Sequence, residues 1–289
     1  DNNDDRVKSL KAGIIPFFEP GLDELVSDVV KSEKLSFALG ASKASENAEF
    51  HFLCLPTPAR TDGSSDLSYF EEGLNEILSV LQPNSIVINK STVPLGTAKK
   101  LQEDIARTDV HVVSNPEFLS EGNAIRDFLE PSRIVIGANS REHSDRVAKL
   151  YSRLNAPILV SSWESAELIK HTANAFLAMK LTFVNEIATL CEISGADIKD
   201  VTDGIGYDPR IGSDYMNAGP GWGGSCFPKD SASLAQVARS FGFDFTLLEH
   251  TIDLNQKHLD RTAQKVQHLV PTGSPHKKVA AWGLTFKAG

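Results

Sequence analysis

Residues 85–115 read SIVINKSTVPLGTAKKLQEDIARTDVHVVSN, and this stretch indicates the fold of the first half of the chain. An apolar run, Ser85–Lys90, is followed by an amphipathic segment, Thr97–Ala106, and then by a second apolar run, Val110–Ser114. Nearly continuous apolar strands are typical of sheets that are buried on both faces, and the helices between such strands form crossovers. The stretch therefore predicts a strand, helix and strand of an α/β domain.

The same alternation extends over residues 1–162. The predicted strands are Leu35–Leu39, Phe50–Pro56, Ser85–Lys90, Val110–Ser114, Arg133–Gly137 and Pro157–Ser161. The predicted helices between them are Gly21–Lys31, Leu67–Leu81, Thr97–Ala106 and Glu142–Leu154. We therefore expect a mainly parallel, doubly wound sheet, in which ligands bind outside the carboxyl ends of the strands.

From about Ser162 the pattern changes to helical periodicity. The segment Glu164–Ile193 carries an apolar stripe wide enough for a long buried helix, and its length suggests a dimer contact. Further helices are predicted over Ile198–Val201, Asp230–Phe241 and Phe245–Leu269, before a linker and a new strand from Lys278 to Phe286. The predicted organisation is thus a nucleotide-binding domain over 1–162, an all-α domain over 163–270, and the start of a further domain over 271–289.

The composition excludes some classes of function. The formal charge is −9, from 38 acidic and 29 basic residues, and this argues against a nucleic-acid partner. Three widely spaced cysteines, Cys54, Cys191 and Cys226, suggest neither a disulfide framework nor a metal site, and the first two are expected in the core. No apolar run is long enough to span a membrane. We expect a cytoplasmic protein without bound metal.

The glycine-rich segment GPGWGGSCFPKD, residues 219–230, presents Cys226 in a tight turn. If a helix begins near Pro228, its dipole and the charge of Lys229 favour the thiolate. Read alone, this cysteine is either a nucleophile or an ordinary buried thiol.

Other polar residues occur in pairs or clusters that have two interpretations each. Lys170 and Asn174 project from one helix face and can donate to an oxyanion, or they can form a solvated face. Glu117 and Glu121 can orient water or bind ribose hydroxyls, or they can be acids of a first helical turn. Ser91–Pro94 is a ligand-binding platform or a plain turn.

Eight motifs taken together resemble the UDP-glucose/GDP-mannose dehydrogenase family. They are FEPGLDE (18–24), LPTP (55–58), STVP (91–94), NPEFLSEG (115–122), ELIKHTAN (167–174), RIG (210–212), GGSCFPKD (223–230) and GLTFK (283–287). They occur in the order of the family and cover essentially the whole chain.

The resemblance implies an NAD-dependent oxidation of the C6 alcohol of a nucleotide sugar to a carboxylate, on a Rossmann-like domain followed by a helical dimerisation domain. The implied catalytic residues are Cys226, which forms thiohemiacetal and thioester intermediates, with Lys170, Asn174, Asp230, Glu117 and Thr92. The implied cofactor-binding residues are Asp1, Thr57, Ser91, Thr92, Glu121 and Lys229. The implied substrate-binding residues are Phe118, Leu119, Lys170, Asn174, Arg210, Tyr215, Trp222, Gly223, Phe286 and Lys287, and Arg210 is expected to enter the sugar site of a neighbouring subunit.

The chain also departs from the family pattern. The glycine-rich phosphate turn that should precede Asp1 and the carboxy-terminal nucleotide-binding domain are expected to be missing. The motifs around Arg210 and Cys226 favour UDP-glucose, while GDP-mannose and UDP-N-acetylhexosamines stay alternatives. An inactive truncated dimerisation fragment and a relative of the 6-phosphogluconate or hydroxyacid dehydrogenases are further readings.

Overall fold

The computed structural model describes residues 1–270 and 278–281, which form two compact units. The first contains Asp1–Pro58 and Ser65–Lys170, and the second contains Ala59–Ser64 and the described residues from His171 onward. The division falls after Lys170, whereas the sequence suggested a boundary at residue 162.

A five-stranded sheet forms the centre of the first unit. Its strands are β1 (Phe50–Leu53), β2 (Ile86–Asn89), β3 (His111–Ser114), β4 (Ile134–Gly137) and β5 (Ile158–Ser161), in the order β1-β2-β3-β4-β5. Neighbouring strands are parallel except β3 and β4, which pair antiparallel through Ser114 and Gly137. Five of the six predicted strands are confirmed. The sixth, Leu35–Leu39, is wrong, because both of its leucines lie substantially exposed outside the sheet.

Helices cover both faces of this sheet, as the doubly wound prediction requires. They are α1 (Asp4–Lys11), α2 (Leu22–Lys31), α3 (Ala41–Ser45), α4 (Ser68–Leu78), α5 (Thr97–Ile105), α6 (Ala124–Leu129) and α7 (Arg141–Leu150). Val87 of β2 belongs to one core cluster with residues of α4 and α5, whereas Ile86 and Ile88 belong to a second cluster with Val147 of α7. Alternate residues of one strand thus face opposite layers.

Long helices form the second unit. They are α8 (Trp163–Ser194), whose first turns belong to the first unit, α9 (Ile198–Gly206), α10 (Phe227–Ser240) and α11 (Thr246–Leu269). The four helices predicted from residue 164 onward are confirmed. Ala175 of α8, Leu234 of α10 and Leu248 of α11 form part of its apolar core.

Two expectations about cysteines have different outcomes. Cys191 is buried on α8 as expected, whereas Cys54 is exposed just after β1, so the prediction of a core position for Cys54 is wrong. β1 ends at Leu53, so Cys54 lies outside the strand.

At the carboxy-terminal end of the chain, residues 278–281 have no regular structure, and Phe286 and Lys287 lie outside the described residues. None of the helices described combines the length and the apolar character that a membrane span requires.

Candidate active site

The loops that follow β1 and β2 are joined through the hydroxyls predicted to contact a cofactor. Ser91 Oγ accepts a hydrogen bond from the Leu55 N–H at 2.8 Å and donates one to the Leu55 carbonyl at 2.7 Å. Thr57 Oγ1 donates to the Thr92 carbonyl at 2.8 Å. These hydroxyls therefore set the shape of the two loops at the carboxyl end of the sheet, where the dinucleotide fold binds its ligand.

A buried carboxylate that the sequence interpretation left without a role holds the end of the second loop. Glu167, on the first turns of α8, is 3% exposed. Its Oε2 accepts from the Gly96 N–H and its Oε1 from the Ala98 N–H, both at 2.7 Å. Gly96 has φ +91° at the N-cap of α5, so Glu167 supplies the capping acceptor that a glycine lacks. Burial raises the pKa of Glu167 to about 7, although the two backbone hydrogen bonds oppose the shift.

Lys170, one turn further along α8, contacts the loop that follows β3. Its Nζ lies 3.3 Å from Glu117 Oε1, and its side chain is 6% exposed. Glu117 also accepts from the Leu119 N–H through Oε2 at 2.6 Å. The ring of Phe118 lies below two cations, with Lys170 Nζ at 5.4 Å and the Arg133 guanidinium at 3.8 Å from its centroid. Lys170 thus contacts both Glu117 and Phe118 of this loop, and Glu117 bonds to the backbone of Leu119.

Glu19 supports this loop and Lys90 begins the loop that follows β2, and neither residue carried a site role in the sequence interpretation. Glu19 accepts from the N–H groups of Gly122 and Ala124 at 2.6 and 3.2 Å, and these contacts explain the acid of the FEPGLDE motif. Lys90, at the end of β2, lies 5.8 Å from the centre of the Tyr151 ring, and desolvation lowers its pKa to about 8. Glu121, predicted as a cofactor contact, lies exposed at the end of the loop.

The second unit holds the predicted nucleophile. Cys226 is exposed at the N-cap of α10, and its Sγ lies 3.5 Å from Ser225 Oγ. The helix begins at Phe227, three residues before the predicted start at Asp230, and the thiol therefore lies at a helix N-terminus.

A buried polar pair follows Cys226 by one turn. Asp230 is 1% exposed, and its Oδ2 accepts from Asn174 Nδ2 at 2.5 Å. Its Oδ1 lies 2.7 Å from Lys229 Nζ. Lys229 is thus paired with the carboxylate of the residue that follows it. Asn174 and Asp230, separated by 56 positions, are thus in direct contact.

The predicted sugar-nucleotide contacts of the second unit differ in exposure. Arg210 is exposed and forms a bidentate pair with Asp208, in which Nε donates to Oδ1 at 3.0 Å and Nη2 donates to Oδ2 at 2.5 Å, so Asp208 orients it. Tyr215 has φ +60° and is 40% exposed. Trp222 is buried, and its indole N–H donates to Thr182 Oγ1 at 2.7 Å. An added Cβ at Gly223 would meet nothing within 4 Å.

Polar groups of the first unit suit part of a bound dinucleotide. The exposed carboxylate of Asp1 suits ribose hydroxyls, and it is oriented by the Asn3 N–H at 2.9 Å and by Arg6 Nη1 at 3.2 Å. The loops that carry Thr57 and Thr92 lie at the strand ends where such a ligand binds.

Comparisons with known proteins identify the family. Residues 1–155 match the family model described as UDP-glucose/GDP-mannose dehydrogenase family, NAD binding domain, and residues 164–257 match the central domain of the same family. A UDP-glucose 6-dehydrogenase of Rhizobium meliloti is 43% identical over 297 residues, which cover 99% of this chain and 68% of that protein. One from Bacillus subtilis is 40% identical and is covered to 63% of its length, with 99% of this chain aligned.

Solved structures agree with this assignment. A UDP-glucose dehydrogenase from Pyrobaculum islandicum has a TM-score of 0.87 at 36% identity, over 92% of this chain and 63% of that one. A GDP-mannose dehydrogenase from Pseudomonas aeruginosa has a TM-score of 0.70 at 33% identity, over 100% of this chain and 68% of that one. This chain thus spans about two thirds of the length of these relatives. The chain belongs to the UDP-glucose/GDP-mannose dehydrogenase family.

Proposed function

We propose that the protein oxidises the C6 alcohol of UDP-glucose to the carboxylate of UDP-glucuronate, with NAD as the electron acceptor. The observation that carries this proposal is an exposed Cys226 at the N-terminus of α10, one turn before the buried pair of Asp230 and Asn174. A helix N-terminus suits a nucleophilic thiol. The names of the relatives, which are UDP-glucose dehydrogenases, support the same substrate.

In this reaction Cys226 Sγ attacks the C6 aldehyde and forms a thiohemiacetal. Oxidation of that adduct gives a thioester, and water displaces the sulfur to release the carboxylate and the thiol. Sulfur suits both steps because it is a good nucleophile and a good enough leaving group. NAD, when bound, accepts a hydride in each of the two oxidations, and Asp1, Thr57, Ser91, Thr92, Glu121 and Lys229 are the residues proposed to hold it.

The polar side chains have separate roles in this proposal. Lys170 and Asn174 donate hydrogen bonds to the oxyanion that develops at C6. Asp230, which accepts from Asn174 and pairs with Lys229, transfers a proton to or from the reacting oxygen. Glu117, held by Lys170, orients the water that hydrolyses the thioester, with the assistance of Thr92.

We also propose that the protein acts as a cytoplasmic homo-oligomer. Thiols stay reduced in the cytoplasm, and this compartment therefore suits an enzyme with a free reactive cysteine. In this proposal Arg210, which is exposed and paired with Asp208, enters the sugar site of a nearby chain. The other residues proposed to line that site are Phe118, Leu119, Tyr215, Trp222 and Gly223. Phe286 and Lys287 stay proposed substrate contacts from the family motif alone.

Assays of the full-length protein with UDP-glucose, GDP-mannose and a UDP-N-acetylhexosamine test the substrate. We expect two NADH per acid formed from UDP-glucose, and a kcat/KM at least about tenfold lower with the other two sugars. A preference for GDP-mannose or for the acetylated sugar would contradict the substrate. One NADH per sugar would contradict the four-electron reaction. If intact mass spectrometry gave a chain of 289 residues and that chain showed no turnover, the alternative of an inactive, truncated dimerisation fragment would be favoured.

A further inference from the structure

The segment Gly219–Trp222 leads to Cys226 and lies outside helices and strands. Asn255 of α11 bonds both polar groups of the Trp222 backbone. Its Oδ1 accepts from the Trp222 N–H at 2.9 Å, and its Nδ2 donates to the Trp222 carbonyl at 2.9 Å. Asn255 is 6% exposed, so water does not compete for these two bonds.

Gly219 is bonded at both backbone groups in a similar way. Its N–H donates to Asn185 Oδ1 of α8 at 2.9 Å, and its carbonyl accepts from His258 Nε2 of α11 at 2.8 Å. Side chains of two helices therefore take over the backbone hydrogen bonds that a helix or strand would supply.

Gly221 shows how closely the segment lies against α11. Its φ is +127°, and an added Cβ would lie 2.9 Å from Leu259 and 3.0 Å from Asn255 Oδ1. Only glycine allows this backbone conformation at this distance. The backbone thus contacts Asn255 directly, without a side chain between them.

We propose that Asn255 is a positioning residue of the reaction, which sets the location of the Cys226 thiol by holding the Trp222 backbone. This inference rests on the proposed role of Cys226 as the nucleophile. The chain before Cys226 is held by Asn255 at Trp222, and the helix after it is held by the contact of Asp230 with Asn174. The thiol lies between these two points, so loss of either one displaces it.

Steady-state kinetics of the full-length protein test this role. Asn255→Leu keeps the approximate shape and removes both hydrogen bonds. We expect kcat to fall about ten- to a hundredfold while KM for the sugar nucleotide changes less than about threefold, because displacement of a reacting group acts mainly on the chemical step. Thr262→Val is the matched control, since the Thr262 hydroxyl bonds to the His258 carbonyl of its own helix, and it should retain kcat.

A double-mutant cycle separates positioning from general destabilisation. Asn185→Ala releases the same segment at Gly219, so the losses in kcat from Asn185→Ala and Asn255→Leu should not multiply in the double variant. If they multiply, the two side chains do not act through one segment, and the inference is wrong. Should Asn255→Leu not fold, Asn255→Asp replaces it, because it keeps the acceptor for the Trp222 N–H and loses the donor to the carbonyl.

Hydrogen exchange in the absence of substrate distinguishes this inference from the proposed function. The peptide that spans residues 216–226 should exchange at least about tenfold faster in Asn255→Leu than in the wild type, whether or not the protein turns over. Unchanged exchange overturns the positioning role. If the wild type is inactive but the peptide still exchanges faster in Asn255→Leu, the proposed function is contradicted. Asn255 is then still the residue that holds this segment.

Discussion

At the scale of single residues, two exposed thiols lie in different environments. Cys54 follows β1, and desolvation raises the pKa of its thiol, although the charge of Lys90 opposes the shift. Cys226 lies exposed at the start of α10. A raised pKa leaves less thiolate at neutral pH, and the thiolate is the form that reacts.

We therefore expect iodoacetamide at pH 7 to modify Cys226 before Cys54, and activity to be lost in step with the modification of Cys226. Cys226→Ser should abolish acid formation and retain UDP-glucose binding, because a serine hydroxyl lacks the nucleophilicity of a thiolate. Peptide mass spectrometry and calorimetry are the measurements, with Cys54→Ser as the active control. Activity that survives modification of Cys226 would contradict the assignment.

The contact of Lys170 with Glu117 leads to a second prediction at this scale. Lys170→Ala should lower kcat by about a hundredfold, which corresponds to about 3 kcal/mol, with a smaller effect on KM, because an oxyanion donor acts mainly on the transition state. Lys199→Ala is the control, since that lysine is exposed on α9 and pairs with Asp203. An effect on KM alone would make Lys170 a residue of ground-state binding.

At the scale of elements, Glu167 joins α8 to the start of α5. Its pKa is raised above the usual value for a glutamate, so the native state binds the proton more tightly than the unfolded chain does. The contribution of Glu167 to the free energy of unfolding is therefore greatest below about pH 4.5. It decreases as the pH rises and levels off above about pH 7, with a total change of up to about 3 kcal/mol.

Glu167→Gln should remove this pH dependence, because the amide does not titrate. The measurement is the difference in free energy of unfolding between wild type and variant in urea, from pH 4.5 to pH 8. We expect the wild type to lose stability relative to the variant as the pH rises. A constant difference would show that Glu167 does not titrate in this range.

The same contact shows what the sequence could and could not predict about the elements. Strand β2 and helix α8 were predictable because their apolar patterns are local. The capping of Gly96 by Glu167 joins residues 71 positions apart, and the pairing of Trp222 with Asn255 joins residues 33 positions apart, so local patterns carry no signal for either. Motif resemblance predicted roles for Cys226 and Lys170, whereas the contacts made by Glu167 and Asn255 became visible only in the fold.

At the scale of the whole molecule, one face of α8 carries a row of exposed apolar side chains. Phe176, Phe183 and Leu190 are spaced by seven residues and are 56%, 55% and 58% exposed. A repeat of seven keeps the three side chains near one line of the helix. Large apolar side chains in such a row are typical of an interface.

We expect the full-length protein to be a dimer through this face, and Phe183→Lys to dissociate it. Burial of each large apolar side chain contributes about 1.5–3 kcal/mol, so six of them in a symmetric pair contribute on the order of 10 kcal/mol before the cost of association. Phe241→Lys is the matched control, because Phe241 is 72% exposed at the end of α10 and does not belong to this row. Sedimentation velocity at micromolar concentration should give a smaller species for Phe183→Lys alone.

Because Arg210 is proposed to complete the site of a neighbouring chain, the dissociated variant should also lose most of its activity. A fully active monomer would contradict both the dimer and the shared site.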